Sequence, residues 1–180
     1  HKFQKDALFS EKKTTCLVSG IQGGKTYIGG LWARYKASQF RDPNECGIVT
    51  APTYKVLKQA TLPRLLTVFN GLGEWFESES IFRMHSGQPS YVRTMHEPNS
   101  IEGIPKCRWI WGDEAGLYKQ LAYVNIQGRA APMEAPIFFT TTPYALNWLY
   151  KDLYKPWKNG KMKDAHFVQF RSVDNPYFPK

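Results

Sequence analysis

Residues 14–26 read TTCLVSGIQGGKT. A short apolar run containing β-branched residues and stopped by glycine is the pattern of a buried strand, and the residues after Gly24 continue as a helix. Between them lies SGIQGGKT, Ser19 to Thr26. Gly20, Gly23 and Gly24 allow a tight turn in which the backbone amides of the loop, through Ile21 and Gln22, and the start of the helix face one point, the arrangement that binds phosphate. Lys25 is placed to reach the outer phosphates as a point charge, and the hydroxyl of Thr26 to ligate magnesium. The strict phosphate-loop pattern has glycine where this chain has Ser19, a small residue in the same place.

Outward from the loop the chain alternates. GGKTYIGGLWARYKASQF reads as a helix and CGIVTAP as a second strand. Thr53 then caps a helix over about residues 54–69, with Val56, Leu57, Leu62, Leu65 and Leu66 near helical spacing and Pro63 as a kink. IFRMH and YVRTMHE flank SGQPS, a turn-forming stretch, and predict an antiparallel hairpin inserted into the alternation. CRWIWGD is a strand ending in acids, GLYKQLAYVNIQGR a helix, PIFFTTTP a strand stopped by Pro143, about 145–157 a further helix and AHFVQFRSV a last strand. Alternating strands and helices predict an α/β fold with a mainly parallel sheet flanked by helices on both faces and ligands at the carboxyl ends of its strands; with a phosphate loop after its first strand, that order resembles the P-loop NTPase fold of the RecA-like type.

About 90 residues after the loop, KCRWIWGDEAG ends its strand on Gly112, Asp113 and Glu114. Paired carboxylates at a strand tip have a specific use beside a triphosphate. Asp113 can hold, through water, the magnesium that Thr26 ligates, and Glu114 can orient and deprotonate the water that attacks the γ-phosphate.

The succession SGIQGGKT, TAPT, WGDEAG and FTTTP resembles the ATPase domain of viral terminase large subunits of the bacteriophage type, motors that push genomes into procapsids. The resemblance covers nearly the whole chain. It implies Mg-ATP as cofactor, SGIQGGKT as Walker A and Asp113 and Glu114 as the end of Walker B. Thr140, Thr141 and Thr142 become a coupling motif. It also implies double-stranded DNA as track, a ring on a portal, a small terminase subunit as partner, and the host cytoplasm as location. By the same resemblance residues 1–180 are one ATPase domain excised from a longer chain with a C-terminal nuclease, and SVDNPYFP looks like the connector. Gln4 resembles the glutamine that reads adenine through its amide, with Phe3 available to pack on the base. Such motors often carry arginine inside Walker A where this chain has Gln22, so an arginine from a neighbouring subunit is expected to complete the site. Arg129 is the first choice, with Arg93 and Arg108 as alternatives.

Composition agrees with a polyanionic partner. Lys and Arg number 24 against 15 Asp and Glu, a formal charge of +9. LYKDLYKPWKNGKMK is the best candidate for a phosphate-contacting face, and Tyr54 and Lys55 are a weaker one. Cys16, Cys46 and Cys107 lack any zinc-ligand spacing and read as buried free thiols. No apolar run is long enough for a membrane span and no signal peptide is seen, which predicts a soluble, intracellular protein. The tryptophans read as packing residues. A helicase core shares the phosphate loop, the acidic tip and the threonine-rich third motif, and remains the alternative; a basic nucleic-acid-binding module that holds nucleotide only structurally is the rival from another class.

Overall fold

A computed structural model of the protein describes residues 2–177. Phe178 and Pro179, in the expected connector, and Lys180 lie outside the described residues, as does His1. The chain forms β1 (Thr14–Ser19), β2 (Cys46–Ala51), β3 (Gly73–Phe76), β4 (Ile81–Met84), β5 (Pro89–Thr94), β6 (Cys107–Asp113), β7 (Ile137–Thr141) and β8 (Ala165–Phe170). They join in one sheet of order β3-β4-β5-β2-β6-β7-β1-β8. Every pairing from β5 to β8 is parallel, and β3-β4-β5 form an antiparallel edge.

Strands β2 and β7 are buried throughout and β1 and β6 nearly so, as an apolar strand must be when helices cover both sides of a parallel sheet. On one face lie α1 (Lys2–Leu8), α2 (Lys25–Ala37) and the helical run from α3 (Tyr54–Val56) through a π-helical segment (Leu57–Thr61) to α4 (Leu62–Phe69). On the other lie α5 (Gln120–Ala130), a second π-helical segment (Leu149–Tyr154) and α6 (Lys155–Lys158), over a core with Tyr123, Phe139, Trp148 and Phe167. The expected α/β architecture, with helices on both faces, is the one observed.

Close approach of α2 to the sheet depends on two glycines. A Cβ on Gly29 would stand 2.2 Å from the Trp111 indole, and one on Gly47 would stand 1.9 Å from Trp109. Trp109 and Trp111 are fully buried, and Trp32 packs edge-on to Trp109 and stacked on Phe138. Each such aromatic removes roughly 150–250 Å² from water, several kcal/mol apiece by area. This anchors α2, and with it the loop that precedes it.

The strand pairing sets the site. β7 lies between β1 and β6, matching Val18 with Thr141 and Asp113 with Thr140. The ends of β1, β7 and β6 are therefore neighbours, although the loop and the acids are about 90 residues apart in the chain.

Three details differ from expectation. The hairpin belongs to the main sheet, because β5 pairs in parallel with β2, and a further strand, β3, extends its edge. The helix expected from about residue 145 begins later, its first π-helical residue being Leu149, because Asn147 donates its side-chain amide to the Gly116 carbonyl and keeps 142–147 as a loop. The N-terminal α1 carried no sequence signal strong enough to name it. The three cysteines are buried and free, as read.

Candidate nucleotide site

The phosphate loop leaves β1 at Ser19. Ser19 is not among the residues with positive φ, so its position makes no demand for glycine, and its hydroxyl fills the space beside Gly23, where a Cβ would come within 1.9 Å of it. The glycine requirement passes from position 19 to position 23. Gly24 (φ 79°) caps α2 in the left-handed region, where glycine alone is unstrained, and Gln22 (φ 60°) takes that conformation with a side chain. Lys25, only 5% exposed, donates its Nζ to the Gly20 carbonyl at 2.8 Å, which folds it back across the loop. Burial lowers its pKa below the ordinary lysine value, and the charges of Glu114 and Asp113 oppose that shift.

Three successive loop carbonyls are held from outside the motif. Gln4 donates its side-chain amide to Gly23 O (3.0 Å), Asn175 donates to Gln22 O (3.1 Å), and Ser172 donates its hydroxyl to Ile21 O (2.6 Å). Within the loop the Gly23 amide donates to the Gly20 carbonyl at 3.3 Å. Gln4 is thus on the loop itself, and Phe3 stacks on Phe170 with centroids 6.0 Å apart.

At the tip of β6, Asp113 is fully buried and gripped at both carboxylate oxygens. Thr140 (2.7 Å) and Thr26 (3.2 Å) donate to Oδ1, and Thr61 donates to Oδ2 (2.8 Å). Burial pushes the Asp113 carboxyl up to about 6; Glu114's charge adds to the rise, and the three hydroxyls, by stabilising the anion, oppose it. Tyr118, buried below, donates its hydroxyl to the Asp113 carbonyl at 2.9 Å and shares a hydrogen bond with Thr50.

Glu114 takes φ 47°, a left-handed conformation that costs a non-glycine residue on the order of 1–2 kcal/mol. It is over-determined by its bonds. Thr142 donates its backbone amide (3.1 Å) and hydroxyl (3.4 Å) to the carboxylate, and Tyr144 donates its hydroxyl at 3.0 Å. The three expected coupling threonines each hold a different part of the acidic turn. Thr140 holds Asp113, Thr142 holds Glu114, and Thr141 accepts from the Gly116 amide at 3.0 Å.

Solved structures share this arrangement of elements. The large terminase of the thermophilic bacteriophage D6E, in a complex with ADP, superposes with a TM-score of 0.84 at 15% identity over 99% of this chain and 47% of that one. The large terminase ATPase domain of Thermus phage P74-26 gives 0.69 at 17% identity, covering 95% of this chain and 80% of that one. The HK97 bacteriophage large terminase gives 0.69 at 15% identity, over 95% of this chain and 39% of that one. This chain has the P-loop fold of phage large-terminase ATPase domains. It spans about half the length of the D6E terminase. No protein-family model matches the sequence, and no curated protein does.

Within that fold the structure brings Lys25, Thr26, Asp113, Glu114 and Thr140–Thr142 together, with Gln4 on the loop's outer side. Arg129 is not brought there. It ends α5 at the edge of the sheet where the strands begin, donates Nη1 to the Ile104 carbonyl at 2.8 Å, and has its Nε buried. That bond braces the 101–106 turn through one nitrogen of the guanidinium. Arg93 bonds the carbonyls of Ser80 and Val92, and Arg108 pairs with Glu45 over the ring of Phe40. Thr61, Tyr118, Tyr144, Ser172 and Asn175 are site residues that sequence reasoning missed. Of these only the stretch containing Ser172 and Asn175 carried a signal, as part of the resemblance to a connector.

A cavity of about 470 Å³ lies under the 142–147 loop, lined by Val18, Tyr144, Tyr154, Trp157 and Phe167 among others. It shares Gly116, Thr141 and Thr142 with the acidic turn and none of residues 20–26, so it lies beside the end of β7 and apart from the glycine loop. Among the described residues no helix is long and apolar enough to cross a membrane. Lys151, Lys155, Lys158, Lys161 and Lys163 are all exposed along the second π-helical segment, α6 and the turn after it.

Proposed function

We propose that the chain binds Mg-ATP on its phosphate loop and hydrolyses it, as the ATPase domain of a viral DNA-packaging terminase. The observation that carries this reading is the hydrogen bond between Thr26 and Asp113, 3.2 Å across 87 residues of sequence, which joins the end of the loop to the acidic tip. A hydroxyl and a carboxylate are hard oxygen donors, and two protein ligands are what magnesium takes when phosphates and water supply the rest. The residues present fit that ion. When bound, magnesium neutralises phosphate charge in the transition state.

The remaining chemistry belongs to the chain. The loop amides of residues 20–26 cradle the phosphates, and Lys25 exchanges the Gly20 carbonyl for an outer phosphate oxygen. Gln4, whose side-chain amide sits on the loop, reads adenine. Glu114, aimed by Thr142 and Tyr144, orients the attacking water and takes its proton. Because Thr140–Thr142 grip Asp113, Glu114 and Gly116 together, a change at the phosphate is passed to the 142–147 loop as one movement.

Residues 1–180 act as one ATPase domain of a longer protein. Its track is double-stranded DNA, contacted by the lysines of 151–163, and it works as a ring on a portal with a small subunit, in the host cytoplasm. An arginine of a neighbouring copy supplies the transition-state charge, with Arg129 the first choice and Arg93 and Arg108 the alternatives. The neighbours in fold are phage terminases, which favours packaging over a helicase core. Phosphate release from ATP tests the reading. Turnover that requires magnesium and falls about 10²-fold in Glu114→Gln, with nucleotide affinity kept, is the expected result; equal turnover in parent and variant would remove the role of Glu114.

A further inference from the structure

One contact to Asp113 comes from outside the loop, the acidic tip and the threonine-rich strand. Thr61 is fully buried, and its hydroxyl donates to Oδ2 at 2.8 Å, the carboxylate oxygen opposite the one bonded by Thr26 and Thr140. It ends the π-helical segment Leu57–Thr61. Single π turns inside α-helices are rare and concentrate at functional positions.

The sequence explains the turn. Pro63 has no amide hydrogen, so it makes no bond to the carbonyl four residues earlier, and the ladder widens just before it. The Leu62 amide donates to the Leu57 carbonyl, five residues back. In an unbroken α-helix Leu57 and Leu62 would point about 140° apart, five residues at roughly 100° each. The wide turn narrows that angle, and both side chains are buried. Leu57, Thr61, Leu62 and Leu65 are all buried against the sheet, and Thr61 is delivered to the tip of β6. Apolar residues would satisfy the packing; a hydroxyl at this one position meets the carboxylate.

We propose that Thr61 is a positioning residue for the metal-facing carboxylate. By pinning Oδ2 it fixes the rotation of the Asp113 carboxylate, so that Oδ1 stays turned toward Thr26 and is ready for magnesium. Thr140 alone leaves that rotation free, because it holds the same oxygen as Thr26. This inference rests on the Mg-nucleotide reading above.

The test measures ADP and ATPγS affinity with and without magnesium by calorimetry, together with kcat and KM for ATP, in the parent, Thr61→Val and Thr61→Ser. Thr61→Val keeps shape and loses the hydroxyl. Its magnesium-free affinity is expected to match the parent, while the gain in affinity on adding magnesium shrinks about tenfold, the scale of one lost hydrogen bond to a charged group. kcat falls more than KM changes. Thr61→Ser restores the magnesium response to within about threefold of the parent. A purely structural threonine would instead lower the melting temperature and leave the magnesium increment alone. A parental magnesium response in folded Thr61→Val, or a Thr61→Ser protein as deficient as Thr61→Val, overturns the proposal. If Thr61→Val does not fold, Thr61→Ala carries the same expectation and Thr61→Ser must still rescue. A parent without any magnesium-dependent nucleotide affinity removes the nucleotide reading and this inference together. A parental response kept in the variant removes only this one.

Discussion

The phosphate loop and the acidic tip lie side by side and are held in opposite ways. The loop is exposed at its crown, with Ile21 76% accessible, and is steadied through its backbone carbonyls by Gln4, Ser172 and Asn175, donors from the two ends of the described chain. The tip is buried and steadied through its side chains, by hydroxyls of Thr26, Thr61, Thr140 and Thr142 and the phenol of Tyr144. The proposed function accounts for the difference. A phosphate cradle would present amides, so its carbonyls are what can be tied down; a metal and water site would present carboxylate oxygens, whose direction side-chain donors fix. Damage to the loop's ties should therefore appear as lost affinity, and damage at the tip as altered chemistry and altered stability.

The largest effect separating the two regions is expected at Asp113. Its carboxyl is pushed up to about 6 by burial, so the folded state keeps its proton at pH values where the unfolded chain has lost it. The folded state then binds more protons than the unfolded one from about pH 4 to 6, and stability falls as pH rises through that window. Denaturant unfolding without metal should find the parent losing about 2–3 kcal/mol between pH 4 and pH 8 from this group. Asp113→Asn should flatten that loss and be the more stable protein at pH 8, while losing the magnesium-dependent gain in nucleotide affinity. An unchanged pH profile in the variant would mean that the tip is not the desolvated charge described.

A smaller effect is expected at the loop's ties. Ser172→Ala and Asn175→Ala each remove one neutral hydrogen bond to a loop carbonyl, worth about 1 kcal/mol, so nucleotide affinity should weaken about fivefold. Their kcat should stay within twofold of the parent, as for loss of ground-state and transition-state binding alike. A fall in kcat with affinity intact would place these ties with the tip and erase the contrast.

Much of the site was legible in sequence for one reason: a strand, a glycine turn and a helix are contiguous, and so are a strand and its terminal acids. Ser19 to Thr26, Asp113, Glu114 and the threonines after Phe139 were found because each set sits at the end of one apolar run. Thr61 was not, since a threonine on a helix before a proline carries no mark of the carboxylate it meets 52 residues later. Arg129 read as a projecting cation near a helix end, and the Ile104 carbonyl that its Nη1 meets, 25 residues earlier, has no local mark either. The edge strand β3 was missed because GEWF is four residues alternating half-buried and exposed, too short to stand out from its turns. The strand order, with β7 between β1 and β6, is a property of the sheet and has no local signature.

Direct titration of the parent and of Lys25→Ala with Mg-ATPγS tests the central claim most directly. Lys25 is the buried cation of the loop, folded back onto the Gly20 carbonyl. The parent should bind with a single site, and the variant should lose affinity by about 100-fold, the scale of one charge-assisted contact in a water-poor site. Equal affinity in the two proteins, or no binding by a folded parent, would contradict the assignment of residues 19–26 as a nucleotide site.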